Sequence, residues 1–292
     1  MRLKSKKWMI ILFTLPTMAL FVLVYLAPML IVFVTSFFDW KAGGIFKFVG
    51  LKNYILGFTS DSRMMRASLN TIIWTVLQAV VHVGIGTILA FILAEKFRGW
   101  KVFRTIFMIP NVISSAALAV IFLNVFNAKY GLVNSFVTAI TGKNFTKNWF
   151  FDQNSAFPTV TGTWLLYTGM IVIIVLAGIF SIPEELYEAA RIDGATNFVI
   201  NMKIRLPLIR PVLGTAVIIA ATSMLREFEL IFLTTNGGPG DLTLNLPLYL
   251  YKTSLTENNY GYANMMGVIL ILAGVVVVWL INKMFRMDET DM

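Results

Sequence analysis

Several residue types that build chemical sites are absent or scarce in this chain of 292 residues. Cysteine is absent, which excludes disulfide bonds, thiolate metal sites and a cysteine nucleophile. With a single histidine, His82, a histidine-rich metal centre is also excluded, and we expect no metal site. No Gly-x-x-x-x-Gly-Lys-Ser/Thr phosphate loop occurs, so this chain carries no P-loop ATPase site. These absences argue against an enzyme.

Apolar residues dominate the composition instead. They make up 58% of the chain against 13% charged residues, and the mean hydropathy is +0.77, as in integral membrane proteins. Six apolar segments are each long enough, at about 20 residues, to cross a hydrocarbon core of roughly 30 Å. They show no alternating barrel pattern, so we predict an all-α membrane protein. The predicted spans are 8–37, 71–94, 103–126, 157–180, 211–233 and 263–281.

The net charge of +9 comes from basic clusters beside these spans. Such clusters mark membrane topology, so we expect anionic lipid and no nucleic acid as the electrostatic partner. With six spans the densest clusters fall on one side, which the positive-inside rule makes cytoplasmic. These clusters contain Arg2, Lys4, Lys6, Lys7, Lys96, Arg98, Lys101, Arg104, Lys283 and Arg286. We therefore predict a multi-pass protein of the cell membrane with both termini in the cytoplasm.

A polar loop, 181–210, separates the fourth and fifth predicted spans on the cytoplasmic side. The capping-box spacing of Ser181 and Glu184 predicts a short helix, and Gly194 permits a left-handed turn or close backbone contact after it. The apolar residues that recur at four-residue spacing beyond the turn are Phe198, Met202 and Leu206. They predict a second short amphipathic helix, which Pro207 is expected to end. Amphipathicity alone leaves two interpretations open, a hairpin on lipid headgroups and a docking site for another protein.

The loop also contains a specific phrase. It consists of Glu188-Ala189-Ala190, Asp193-Gly194, Ile204 and Leu206-Pro207. This phrase resembles the signature loop in permease subunits of binding-protein-dependent ABC importers. Further phrases resemble the maltose and oligosaccharide branch of that family and cover nearly the whole chain, at 48–54, 70–71, 109–110, 131–134, 235–239 and 261–263. On this resemblance we predict one type I importer permease domain over 1–292.

The resemblance implies partners and a mechanism. An extracytoplasmic substrate-binding protein delivers a sugar or oligosaccharide, and a second permease subunit completes the path. Two ATPase subunits hold the ATP and Mg²⁺, so no cofactor is expected on this chain. By resemblance, the residues of the phrase dock the hairpin on an ATPase. Glu188 would make a charge-assisted contact with the ATPase, and the small size of Gly194 would allow the two proteins to approach closely. The chain departs from the family pattern at Arg205, where a threonine is common.

Polar residues inside the predicted spans are costly and therefore mark candidate positions for function. Arg226, Glu227 and Glu229 fall in the fifth span, either as a cluster lining the path or as an Arg226–Glu229 pair that neutralises itself. His82 is expected to hydrogen-bond to a neighbouring helix rather than to relay protons. Aromatic and amide side chains suited to a sugar complete the path candidates, namely Trp74, Gln78, Asn111, Asn124, Trp164 and Tyr167. The central site belongs either to this chain or to the partner permease.

Two other functions stay open from the sequence. Intramembrane acids also occur in proton-coupled secondary transporters, although those are usually longer and show paired broken helices or an inverted repeat. Neither feature is evident in this sequence. An importer permease for amino acids or osmolytes would keep the cytoplasmic loop but lack the external phrases of sugar importers.

Overall fold

The computed structural model describes residues 3–44, 46–285 and 287, and they are predominantly helical. Contacts group the chain into two compact units, one formed by 1–61 and 249–271 and the other by 62–248 and 272–292. A single domain over 1–292 stays a prediction. Arg2 and Arg286, which contribute to the predicted orientation, lie outside the described residues.

The first unit begins with a long apolar helix. This helix consists of α1 (Leu3–Phe21), a π-helical turn (Val22–Leu26) and α2 (Ala27–Thr35). An antiparallel pair of short strands, β1 (Phe38–Asp39) and β2 (Lys47–Phe48), precedes α3 (Lys52–Thr59). Most of α16 (Leu246–Leu255) and the first half of α17 (Tyr260–Phe285) complete this unit.

Hydrogen bonds between distant parts of the sequence hold the first unit together. The carboxylate of Asp61 accepts from the hydroxyl groups of Tyr249, at 2.6 Å, and Tyr262, at 2.7 Å. The Asn53 amide, in one of the external phrases, donates to the Ser36 carbonyl at 2.8 Å. Asn53 and Tyr262, which belong to the external phrases, thus make hydrogen bonds within this unit.

The second unit contains the remaining helices. One continuous helix consists of α4 (Ser62–Leu77), a π-helical turn (Gln78–His82) and α5 (Val83–Ala94). It is followed by α6 (Trp100–Val112), α7 (Ser115–Val125) and α8 (Leu132–Thr141). Another run contains α9 (Ala156–Thr163), a 3₁₀ segment (Trp164–Thr168) and α10 (Gly169–Phe180). Next come α11 (Glu184–Ile192), α12 (Asn197–Ile200), a π-helical turn (Asn201–Arg205), α13 (Leu206–Leu208), α14 (Arg210–Met224) and α15 (Glu229–Thr234).

Helix length and apolarity in the described residues match a membrane protein. Three helices are long and apolar enough to cross a membrane, namely Trp8–Thr35, Ser62–Ala94 and Tyr260–Phe285. Three further pairs of consecutive helices are long and apolar enough only when the two helices are taken together, and each pair is bent at the break between them. The pairs are Trp100–Val112 with Ser115–Val125 (101°), Gly169–Phe180 with Glu184–Ile192 (70°), and Asn197–Leu208 with Arg210–Thr234 (71°). If each bent pair is one span, the total is up to six, by length and composition alone.

The third predicted span, 103–126, is not one straight helix. α6 and α7 meet at a bend of 101°, where Ile113 has an extended backbone. The side chain of Ser114 then caps α7 by accepting from the Ala117 N–H at 3.3 Å. A new helix can therefore start at this point, because the Ser114 hydroxyl accepts from a backbone N–H of the first turn that has no carbonyl partner in α7.

The fifth predicted span, 211–233, is also interrupted, and the prediction that Arg226 and Glu227 lie within a helix is wrong. Both residues fall in a break between α14 and α15. The Glu227 carboxylate accepts from the Leu230 N–H at 3.1 Å, and the Asn245 side-chain amide donates to the Glu227 carbonyl. The break persists because these side chains satisfy backbone groups that lipid could not.

Tight apolar packing joins α5, α10 and α14. Buried aliphatic side chains from the three helices form one cluster, in which Val172, Val175 and Ala216 are fully buried. A Cβ atom added at Gly86 would lie 2.6 Å from Cγ2 of Ile171, so only glycine allows this approach of α5 to α10. This core holds the helices whose polar residues are described below.

Candidate functional site

The polar loop forms a helical hairpin with a left-handed turn, as predicted. α11 ends at Ile192, and Gly194 has a φ of +78°, which glycine adopts without steric cost. The Gly194 N–H donates to the Arg191 carbonyl at 3.0 Å, and the Ala195 N–H donates to the Ala190 carbonyl at 2.9 Å. These bonds satisfy carbonyl groups at the C-terminus of α11 and define the hairpin turn.

Two local details of the hairpin differ from the sequence prediction. Ser181 does not cap α11, because its hydroxyl donates to the Gly178 carbonyl at 2.8 Å and the helix begins directly after Pro183. The second helical stretch does not end at Pro207 but continues to Leu208. Pro207 stands one residue before the end of this stretch, so only the last turn of the helix lacks the bond that a proline N–H cannot make.

The predicted docking residues differ in exposure. Those on the surface are Glu188, Ala189, Asp193, Gly194 and Pro207, whereas Ala190, Ile204 and Leu206 are half-buried. A Cβ atom added at Gly194 would meet no heavy atom within 4 Å among the described residues. The turn is therefore free to contact another protein, and the half-buried residues hold the hairpin against the helices.

Two exposed apolar side chains flank the turn. Ile192 is 86% exposed and Phe198 is 72% exposed, on opposite sides of Gly194. Two large apolar side chains exposed six residues apart in a polar loop make this turn a candidate contact surface. The sequence prediction missed Ile192 and included Phe198 only as part of an amphipathic face. An isoleucine next to Asp193 at the end of a polar helix was the available signal.

A cavity of about 240 Å³ lies between the helices of the second unit and brings several predicted path residues together. The predicted residues that line it are Gln78, Asn111, Trp164, Tyr167 and Glu227, and His82 lines it as well. Ser223 and several apolar side chains complete the wall. A mixture of hydrogen-bonding groups, an indole and a carboxylate in one partly open cavity suits a solute with polar groups.

Much of the polar lining comes from irregular parts of the helices, whereas Asn111 and Ser223 belong to the regular helices α6 and α14. Gln78 and His82 belong to the π-helical turn, and Trp164 and Tyr167 belong to the 3₁₀ segment. Glu227 lies in the break before α15. At membrane depth, irregular backbone is tolerated only where protein buries it or where it borders a cavity. The irregular segments of these helices therefore occur where the backbone borders the cavity.

Three buried polar atoms on this wall lack a hydrogen-bond partner among the described residues. They are Nδ1 of His82, Nδ2 of Asn111 and Nε1 of Trp164. An unpaired buried polar group costs about 1–3 kcal/mol, so a partner outside the chain, such as a solute or water, would satisfy these groups. The expected bond from His82 to a neighbouring helix is present, since His82 hydrogen-bonds to the backbone of Trp164.

The remaining path candidates lie elsewhere. Trp74 is completely buried, where its indole N–H donates to Thr161 at 2.9 Å, and it stacks on Phe157. Asn124 lines a second, more open cavity of about 490 Å³. The other two candidates, Arg226 and Glu229, are exposed, and the ion pairs described in this structure do not join them. Trp74 therefore has a packing role, and the predicted Arg226–Glu229 pair is not among the ion pairs of the described residues.

Helices long and apolar enough to cross a membrane, a cavity between them with hydrogen-bonding groups in its wall and an exposed helical hairpin are together typical of a membrane transport subunit. The family described as "binding-protein-dependent transport system inner membrane component" matches residues 82–286. The chain belongs to this family. It is the permease subunit of an ABC importer and a multi-pass membrane protein.

Individual relatives extend the match over nearly the whole chain. The chain is 32% identical over 285 residues to the probable ABC transporter permease protein YurN of Bacillus subtilis, covering 96% of this chain and 97% of YurN. It is 35% identical over 245 residues to the multiple sugar-binding transport system permease protein MsmF of Streptococcus mutans, covering 82% and 83% of the two chains. A crystal structure of a bacterial alginate ABC transporter contains a chain that superposes on this one with a TM-score of 0.84 at 23% sequence identity. The superposition covers 98% of this chain and 96% of that chain. The fold is thus that of a type I importer permease.

Proposed function

We propose that this permease imports a sugar or oligosaccharide delivered by an extracytoplasmic binding protein. The cavity of the second unit supports this proposal, because its unpartnered N–H donors and its carboxylate match the alternating donors and acceptors of a polyhydroxylated solute. The indole of Trp164 adds an apolar wall on the same cavity. The name of MsmF, a sugar-transport permease, is consistent with this substrate class.

The hairpin around Gly194 is, in this proposal, the docking element for an ATPase. Its exposed left-handed turn between Ile192 and Phe198 is the observation that carries the proposal. Two ATPase subunits bind and hydrolyse ATP with Mg²⁺, and a second permease completes the path, so this chain supplies no catalytic group or cofactor. The hairpin and both termini then face the cytoplasm, in agreement with the basic clusters beside the spans.

Co-purification in detergent tests the docking element. This chain is expressed with its second permease and ATPase subunits, and the wild type is compared with Gly194→Asp. Aspartate tolerates the left-handed backbone better than most residues, and its Cβ would meet nothing within 4 Å, so the chain should still fold and insert. We expect the wild type to retain the ATPase and the variant to lose it. An ATPase absent from both preparations would overturn the docking proposal.

Uptake into vesicles tests the substrate class. Assembled complexes with internal ATP are supplied with binding protein and radiolabelled oligosaccharides, amino acids or osmolytes. We expect uptake of a saccharide, with competition by related saccharides. Uptake of an amino acid or osmolyte alone would favour the importer for a non-sugar solute. Uptake driven by a proton gradient without ATP would favour a secondary transporter and contradict the proposal.

A further inference from the structure

An ion pair between a buried arginine and a partly exposed glutamate anchors the hairpin to the membrane helices. The Arg205 side chain is 7% exposed, and its Nη1 donates to Glu95 Oε1 at 2.6 Å and to Asn201 Oδ1 at 2.7 Å. Glu95 directly follows α5, the last part of the helix Ser62–Ala94. Arg205 lies in the hairpin, 110 residues further along the chain. The pair therefore connects the hairpin with the end of one membrane helix.

The same guanidinium group also connects the two halves of the hairpin. It lies over the ring of Tyr187, in α11, at 4.9 Å from the ring centroid. The Tyr187 hydroxyl donates to the Ile179 carbonyl at 3.3 Å, at the end of α10. On the other side of the pair, Asn197 donates to Glu95 Oε2 at 3.1 Å. Arg205 is thus the centre of a cluster that holds both short helices of the hairpin against α5 and α10.

The membrane helix held by this cluster also forms a wall of the cavity. Gln78 and His82 line the cavity from the helix Ser62–Ala94, which Glu95 follows immediately. At 1.5 Å per residue, the helix carries the contact over roughly 20 Å from Glu95 to His82. A displacement of the hairpin would therefore be transmitted to the cavity wall by a continuous helix, provided that the Glu95–Arg205 contact stays closed.

We propose that Arg205 is a positioning residue for transport, which makes the hairpin and the helix Ser62–Ala94 move as one body. The inference rests on the proposed docking of an ATPase at the hairpin turn. Arg205 itself is buried away from that turn and does not contact the ATPase in this scheme. Replacing Glu95 would leave the buried Arg205 charge without its carboxylate. Replacing Arg205 would remove the group that joins Glu95 to Asn201 and Tyr187. The contact between the hairpin and the helix Ser62–Ala94 should therefore open in either variant.

The first test compares Arg205→Met with wild type in vesicles that contain the complete importer. Solute imported per ATP hydrolysed is measured together with the amount of ATPase bound. Coupling between sites typically changes a response 5- to 150-fold, so we expect transport per ATP to fall at least about fivefold with ATPase binding retained. Lys147→Met is the matched control, because Lys147 forms a more exposed pair with Asp152 at 3.8 Å and should leave transport unchanged.

A covalent rescue provides the second test, and the absence of native cysteine makes it specific. The double variant Glu95→Cys, Arg205→Cys should be uncoupled when reduced and should regain at least half of wild-type transport per ATP after reaction with a bifunctional thiol reagent. Either single cysteine variant treated with the same reagent should stay uncoupled. This rescue is measured even if Arg205→Met fails to insert.

Three results would overturn the inference. Transport per ATP that stays at the wild-type value in Arg205→Met shows that the pair transmits nothing. Transport and ATPase binding that fall in parallel show that Arg205 merely supports the hairpin fold. A cross-linked pair that remains uncoupled shows that closing the contact is not sufficient. Failure of the wild type to bind any ATPase instead contradicts the docking proposal, and is distinguished by the binding measurement.

Discussion

Replacing Ile192 by serine should weaken ATPase binding without unfolding the permease. The side chain is 86% exposed at the hairpin turn, so its packing contributes little to the fold. Burying an isoleucine at an interface contributes about 1.5–3 kcal/mol, and nearly all of this surface remains available for a partner. A loss of about 2 kcal/mol corresponds to a dissociation constant roughly 30-fold higher than that of the wild type.

Binding is measured by titrating purified ATPase onto the immobilised permease pair in lipid nanodiscs, without nucleotide and at constant salt. Ile140→Ser is the control, since Ile140 is also an exposed isoleucine, at 69%, but belongs to α8 on the predicted outer side. Thermal unfolding of the two variants should match the wild type. Binding of Ile192→Ser within twofold of the wild type, or equal weakening in Ile140→Ser, would refute the assignment of the turn as the docking surface.

Three further perturbations test the cavity and the core. Trp164→Phe removes an unpartnered N–H, so it should raise the KM for solute about fivefold, as for a lost hydrogen bond of about 1 kcal/mol, with the melting temperature unchanged. Glu227→Gln keeps a side-chain oxygen that accepts from the Leu230 N–H at the start of α15. ATP-driven uptake by this variant should therefore persist and remain insensitive to a protonophore. Loss of uptake when the proton gradient is dissipated would contradict this expectation. Gly86→Val should overlap Ile171 and destabilise the detergent-solubilised chain by about 1–3 kcal/mol in thermal unfolding. In the matched variant Gly84→Val, the added Cβ atom would meet no heavy atom within 4 Å among the described residues, so this variant should unfold like the wild type.

Local signals in the sequence predicted the hairpin well and the path only in part. The turn at Gly194 follows from glycine after a short polar helix, which is a property of a few adjacent residues. The break at Glu227 was not predictable in this way, because one of its two side-chain supports comes from Asn245, which is distant in sequence. Trp74 is likewise a residue type that is common in sugar sites. Only its burial and its hydrogen bond to Thr161 reveal that it packs inside the protein.

Hydropathy along the chain was enough to infer membrane helices and the polar loop between the fourth and fifth spans, and the resemblance of the phrase in that loop to a known family indicated an importer permease. Each of these signals is carried by residues close together in the sequence. Packing between helices selected which polar side chains share the cavity, and it paired Glu95 with Arg205 across 110 residues. Neither arrangement leaves a periodic trace in the sequence. The cavity arises because helices joined by an apolar core turn their irregular, polar segments toward one space. The Glu95–Arg205 pair arises separately, where the hairpin packs against the end of α5.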